Sequence, residues 1–189
     1  TAPLKKFEGM TIAEIAKIRE QDPASACFDL IFAEGVFIHG VHHTMNEDDV
    51  KAVMRVPWVS IGSDGSALNQ KYPGKPHPRS FGTNPRVLGK YTREENVLTL
   101  EDAVRKMTSL PAQVLGLKDR GLLREGFWGD VVLFDADKVA DTATYDNPKQ
   151  YPKGIPYVLV NGLVVIDNGH HTGARPGRVV YGTGWRNAH

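Results

Sequence analysis

A single cysteine, Cys27, stands in a chain of 189 residues, so no internal disulfide can brace the fold. That scarcity fits a reducing compartment. Charge of one sign is also lacking: 23 Lys and Arg against 22 Asp and Glu leave a formal net charge of +1, which gives nucleic acid or an anionic membrane no electrostatic foothold. Neither partner is expected. No apolar run reaches membrane-spanning length and no signal-peptide pattern opens the chain, so the expected location is cytoplasmic. The first residue is Thr1 rather than Met, and Thr1 to Gly9 shows no recognisable beginning of a fold, as in a trimmed, cleaved or split chain. What is present is ordinary: a hydrophobic fraction of 41% suffices to bury a core.

The first part of the chain alternates helix and strand patterns. Thr11 caps a helix with Ile12, Ile15, Ala16 and Ile18 on its apolar side, and Asp22-Pro23 starts a second, with Cys27, Phe28, Leu30, Ile31 and Phe32 expected to be buried until Gly35 ends it. On that helix Cys27 reads as a buried structural thiol. Val36 to Ile38 reads as a strand running into His39, His42 and His43. Adjacent strand histidines face opposite ways, so only one of His42 and His43 can reach a common ion, and a wet loop explains the cluster better than a metal site. Thr44-Met45-Asn46-Glu47-Asp48-Asp49 supplies a cap and early acidic residues for a helix through Val50, Val53 and Met54.

Next comes Val59-Ser60-Ile61-Gly62-Ser63-Asp64-Gly65, an apolar run closed by a carboxylate between glycines. It reads as a buried strand from Trp58. With helices between its strands, this part predicts an α/β fold with parallel strands, in which function collects at the strands' carboxyl ends. A buried carboxylate there needs a partner or a metal, although an Asp capping the next turn explains the same residues. The polar stretch from Ser66 to Ser80 follows, a long loop of the kind that carries function, and it holds His77 and Arg79. Either can face an anionic substrate; a local ion pair is the plain alternative for Arg79. Pro85 to Tyr91 predicts a helix, Thr99 caps another with Ala103, Val104, Met107 and Leu110 inward, and a break at Leu110-Pro111 precedes a last turn ended by Gly116.

From Leu117 onward the pattern is all β. Val131 to Asp135 reads as a strand, and Asn161-Gly162 between Tyr157–Val160 and Leu163–Ile166 is a strong hairpin signal. His170 and His171 fall in a further turn, and Val179 to Tyr181 predicts an edge strand. Two segments are therefore expected, residues 1–116 and residues 117–189. The first offers too few strands to close a sheet alone.

Ile61-Gly62-Ser63-Asp64-Gly65, His77-Pro78-Arg79, Gly82-Thr83 with Pro85-Arg86-Val87-Leu88-Gly89, and Met107-Thr108-Ser109-Leu110-Pro111-Ala112 resemble, in that order, the C-terminal portion of the N-acyl-D-amino-acid deacylases of the amidohydrolase superfamily. The likeness continues through Gly121-Leu122-Leu123 and the Asn161-Gly162 hairpin to Pro176-Gly177-Arg178. It implies the C-terminal part of a metal-dependent (β/α)8 barrel, followed by most of a small β-sandwich. It also implies that Asp64 binds zinc and serves as general acid and base, taking a proton from water and giving it to the leaving amine. Arg79 then grips the carboxylate of an N-acyl amino acid substrate, with Ser63, Gly65 and His77 shaping the same site. The family's His-x-His pair, further histidines and metal-binding cysteine have no match here, and Cys27 does not replace that cysteine. One carboxylate cannot hold a catalytic zinc, so the chain is expected to be inactive until an N-terminal portion, possibly a separate chain, completes the site. Two rivals share the pattern: a cyclic amidohydrolase of the dihydroorotase or hydantoinase type, and a non-catalytic fragment that keeps only the fold.

Overall fold

The computed structural model describes residues 2–35, 38, 40, 44–182 and 184–185. Of the expected strand from Val36 to Ile38 only Ile38 is among them, without regular structure, and the histidines His39, His42 and His43 lie outside them. By their contacts, residues 1–44 and 45–189 form two units.

In the first unit, a short 3-10 stretch, Ala2–Phe7, precedes two helices, α1 (Ile12–Ile18) and α2 (Pro23–Glu34). Their starts follow from local chemistry. Thr11 and Glu14 form a reciprocal capping box, and the Asp22 carboxylate accepts from the amides of Ala24 and Ser25 before Pro23 enters the first turn. Gly35, in the left-handed conformation at φ 66°, ends α2. Ile15, Ala16, Ala26 and Leu30 are buried where α1 and α2 meet. The wider apolar face expected on α2 is not: Phe28 and Ile31 are exposed, and Phe32 is 90% exposed. A seven-residue helix is too short to cover that stripe. Cys27 is half-buried rather than buried.

The second unit begins with α3 (Glu47–Arg55), capped by Asn46, whose side chain accepts from the Asp48 amide at 2.8 Å. After a long connection come α4 (Arg79–Arg86), a π-helical stretch (Val87–Glu94), α5 (Leu100–Met107) and α6 (Ser109–Val114). The helix expected to begin at Pro85 thus begins six residues earlier and carries Pro85 inside, where it cannot donate to the turn behind it. The wider π turns follow directly. Thr99 caps α5 as expected, while the break before α6 falls at Thr108 instead of Leu110 and leaves Pro111 in a first turn that tolerates it. Met54, Val87, Leu88, Tyr91, Val97, Leu98 and Ala103 form the core, closed by Val139 from the later part of the chain.

That later part supplies a four-stranded antiparallel sheet in the order β1 (Val131–Leu133), β2 (Tyr157–Val160), β3 (Leu163–Asp167) and β4 (His170–His171). Asn161 and Gly162 turn the β2–β3 hairpin with φ of 49° and 81°, both left-handed, as the Asn-Gly signal requires. Asn168-Gly169 repeats the device, so the two following histidines lie in a short exposed strand rather than a turn. Val179 to Tyr181 is not a strand; these residues are exposed and join no ladder.

Candidate functional site

The stretch expected to be a buried strand, Trp58 to Ser63, forms no strand: Trp58 lies in a turn and is 77% exposed, and residues 59–63 have no regular secondary structure. Its neighbours are helical, and a helix offers no ladder of free amides and carbonyls. A lysine does that work instead. The Lys106 side chain is 0% exposed, and its ammonium donates to the carbonyls of Val56 and Val59, the latter at 3.0 Å. The Ile61 amide donates to the Lys106 carbonyl at 3.0 Å. One side chain on α5 thereby fixes the approach to Asp64.

Asp64 itself is not buried. Its side chain is 86% exposed and its backbone left-handed at φ 47°, a conformation that Asp tolerates. The desolvation cost expected of a buried strand-end carboxylate is therefore absent. Its position is nonetheless fixed by the residues around it. Ser63 Oγ accepts from the Gly65 amide, and Ser80 Oγ accepts from the Ser66 amide, both at 3.2 Å. A Cβ at Gly65 would lie 2.9 Å from Ser80 Cα and 3.0 Å from the Arg79 carbonyl oxygen. Only glycine lets the turn rest this closely on the start of α4.

Arg79 is the first residue of α4, and its guanidinium meets the Asp64 carboxylate at 2.9 Å. The two residues singled out for chemistry therefore face each other across the turn. Arg79 is also held from behind. Its amide donates to His77 Nδ1 at 3.0 Å, and His77 Nε2 lies 3.1 Å from the Tyr145 hydroxyl. Because Nδ1 accepts, the neutral ring carries its proton on Nε2 and donates it to the Tyr145 oxygen. Burial, and then the positive charge of Arg79, hold this imidazole below its usual range, with Asp64 pulling the other way.

Lys106 and Tyr145 were not marked by the sequence. Lys106 looked like any lysine late in an amphipathic helix, and an aromatic in a polar loop was the one hint at Tyr145. No group of three or more His, Cys, Asp or Glu residues able to hold a metal occurs among the described residues. A carboxylate oxygen is a competent zinc ligand, and among the described residues Asp64 belongs to no such group. No helix is long and apolar enough to cross a membrane.

This mixed helix-and-sheet chain, with its exposed carboxylate set against an arginine, belongs to the amidohydrolase family, whose profile matches residues 8–166. Within that class its likenesses are narrower. It is 42% identical over 180 residues to the N-acyl-D-glutamate deacylase of Alcaligenes xylosoxydans xylosoxydans, covering 95% of this chain and 35% of that enzyme. The crystal structure of a D-aminoacylase superposes with a TM-score of 0.77 at 35% identity, over 92% of this chain and 35% of the other. An N-acyl-D-glutamate deacylase from Bordetella bronchiseptica, solved with zinc and a phosphonate mimic of the tetrahedral intermediate, gives a TM-score of 0.70 at 40% identity, over 86% and 32%. The chain thus spans about a third of the length of the relatives it matches.

Proposed function

We propose that this chain is the C-terminal portion of a zinc-dependent deacylase that hydrolyses N-acyl-D-amino acids to a carboxylate and a D-amino acid. The observation that carries the reading is the meeting of Asp64 and Arg79 at the start of α4. In the assembled enzyme Asp64 is one zinc ligand, and the remaining ligands come from the upstream portion, whether in the same polypeptide or in a separate chain. When bound, the metal polarises the amide carbonyl and acidifies a water. The Asp64 carboxylate takes the water's proton as the new C–O bond forms and delivers it to the amine nitrogen as the C–N bond breaks. Arg79 holds the substrate's carboxylate. An ion pair as exposed as Asp64–Arg79 is worth about 0–1 kcal/mol, so the guanidinium exchanges one carboxylate for another at little cost. Ser63 and Gly65 set the turn that aims Asp64, and His77 lies behind Arg79.

The same reading takes residues 1–116 as the end of a (β/α)8 barrel and residues 117–189 as most of a β-sandwich, in a cytoplasmic enzyme. Its test is Asp64→Asn and Arg79→Ala in the zinc-loaded, assembled enzyme. Loss of proton transfer lowers kcat about 10²–10⁴-fold in the first, whereas the second chiefly raises KM. Full activity in Asp64→Asn, or turnover by the isolated chain, overturns the reading.

A further inference from the structure

The polar stretch from Ser66 to Pro78 is not left to itself. Four contacts tie it to Thr144–Lys149, a segment some seventy residues later in the chain. Gln70 Nε2 donates to the Lys149 carbonyl at 3.2 Å, and Lys149 Nζ donates to the Tyr72 carbonyl at 2.9 Å. Lys75 lies 3.7 Å from the Asp146 carboxylate. Tyr145 meets His77 both through its hydroxyl and edge-to-face, with ring centroids 5.1 Å apart at 75°. The later segment is shaped for this: the Thr144 amide donates to the Asn147 carbonyl and the Asn147 amide to Thr144 Oγ1, closing a turn that presents Tyr145 and Asp146. The residues just before it pass across α4 and the π stretch, where Gly82 and Gly89 leave no side chain in the way of Asp141 and the Val139 carbonyl.

We propose that Thr144–Lys149 is a positioning strap, and that Tyr145 and His77 are positioning residues through which it sets the reach of the Arg79 guanidinium toward the substrate's carboxylate. The inference rests on the reading of Arg79 given above. Among the described residues Tyr145 makes no hydrogen bond to Asp64 or Arg79; it fixes the ring of His77, whose Nδ1 in turn fixes the first amide of α4. The strap thereby governs discrimination between a substrate with a free α-carboxylate and one without, and not the proton transfer at Asp64.

The experiment compares an N-acyl-D-amino acid with its carboxamide analogue in the assembled enzyme, for Arg79→Ala, His77→Ala, His77→Asn and Tyr145→Phe. Tyr145→Phe keeps the ring contact and loses the hydroxyl, so it raises KM for the acid about 5-fold, the equivalent of one hydrogen bond. It leaves kcat and turnover of the carboxamide unchanged. His77→Ala erodes the acid preference further, and His77→Asn restores it, because an Asn oxygen also accepts from the amide two residues on. If Arg79→Ala abolishes the preference while Tyr145→Phe and His77→Ala keep it, the strap is overturned and the reading of Arg79 stands. A preference unchanged in Arg79→Ala overturns both. Equal losses on acid and carboxamide in Tyr145→Phe, whose side chain is more than half exposed, also overturn the strap in favour of a general structural role.

Discussion

Replacing Gly65 by alanine isolates the geometry of the site from its chemistry, since the side chains of Asp64 and Arg79 are left unchanged. The added methyl would sit 2.9 Å from Ser80 Cα, 3.0 Å from the Arg79 carbonyl oxygen and 3.2 Å from the Ser80 amide nitrogen. All three are backbone atoms at the start of α4 and cannot swing aside as a side-chain tip would. Ordinary carbon contacts begin at about 3.5 Å, so the turn must lift by roughly 0.5–1 Å. Overpacking of this kind costs about 1–3 kcal/mol, offset by about 0.4–1 kcal/mol from the less flexible unfolded chain. The turn is exposed and can yield, so the net loss falls at the low end and the melting temperature drops by only a few degrees. Activity is far more sensitive, because a displacement of about 1 Å at a reacting group costs about 10²-fold. Gly62→Ala is the control: nothing lies within 4 Å of its added methyl. The assay is kcat/KM of the assembled enzyme beside a thermal melt of each variant. Equal kcat/KM in the two variants would refute the claim that close packing on α4 aims Asp64.

Two further expectations concern stability. Lys106→Met removes the ammonium that serves the Val56 and Val59 carbonyls, and stranding these acceptors costs on the order of 2–3 kcal/mol; a melt identical to the parent protein would show that water replaces the lysine there. Glu47 is held below the ordinary carboxylate value of 4.5, first by its bond from Lys90 and further by the Tyr91 hydroxyl, with burial opposing. A depressed folded pKa contributes stability that is fully present above the unfolded value and lost as pH falls through the folded one. Glu47→Gln is therefore less stable than the parent at pH 7, and denaturant titrations at stepwise lower pH below 4.5 find the difference closing; a gap that widens in acid contradicts the assignment.

How legible these features were in the sequence follows from how far apart the interacting residues lie. Thr11 with Glu14, Asp22 with Ser25, Asn46 with Asp48 and Thr99 with Asp102 are each settled within three residues; the sequence marks Thr11, Thr99 and the start at Asp22-Pro23, and for α3 it marks only the stretch Thr44 to Asp49. Asn161-Gly162 is local in the same sense. The expectations that failed depended on remote partners. Burial of Phe28 and Phe32 presumed a covering surface that α1 does not supply, and strands at 58–63 and 179–181 presumed ladders that no described neighbour offers. Pro85 misled for another reason: a proline at the first helical position and one inside a helix look alike when the turn before it, Arg79 to Asn84, carries no strong helix signal.

The site divides along the same line. Asp64, His77 and Arg79 fall within sixteen residues, and their order marked them, yet the energetic argument for Asp64 was mistaken, because an exposed carboxylate carries no burial cost that a ligand must repay. What singles Asp64 out is the packing of its turn on α4, set by a glycine and two serines. Tyr145 was out of reach of any local pattern: it lies 68 positions from His77, and Lys149 lies 77 from the carbonyl it holds. Those separations also account for the long loop between Asp64 and Arg79. A polar segment without regular structure has to place its backbone groups somewhere, and here part of that demand is met by residues beyond β1. Substitutions in Thr144–Lys149 therefore act on Arg79 although the sequence places them among the strands.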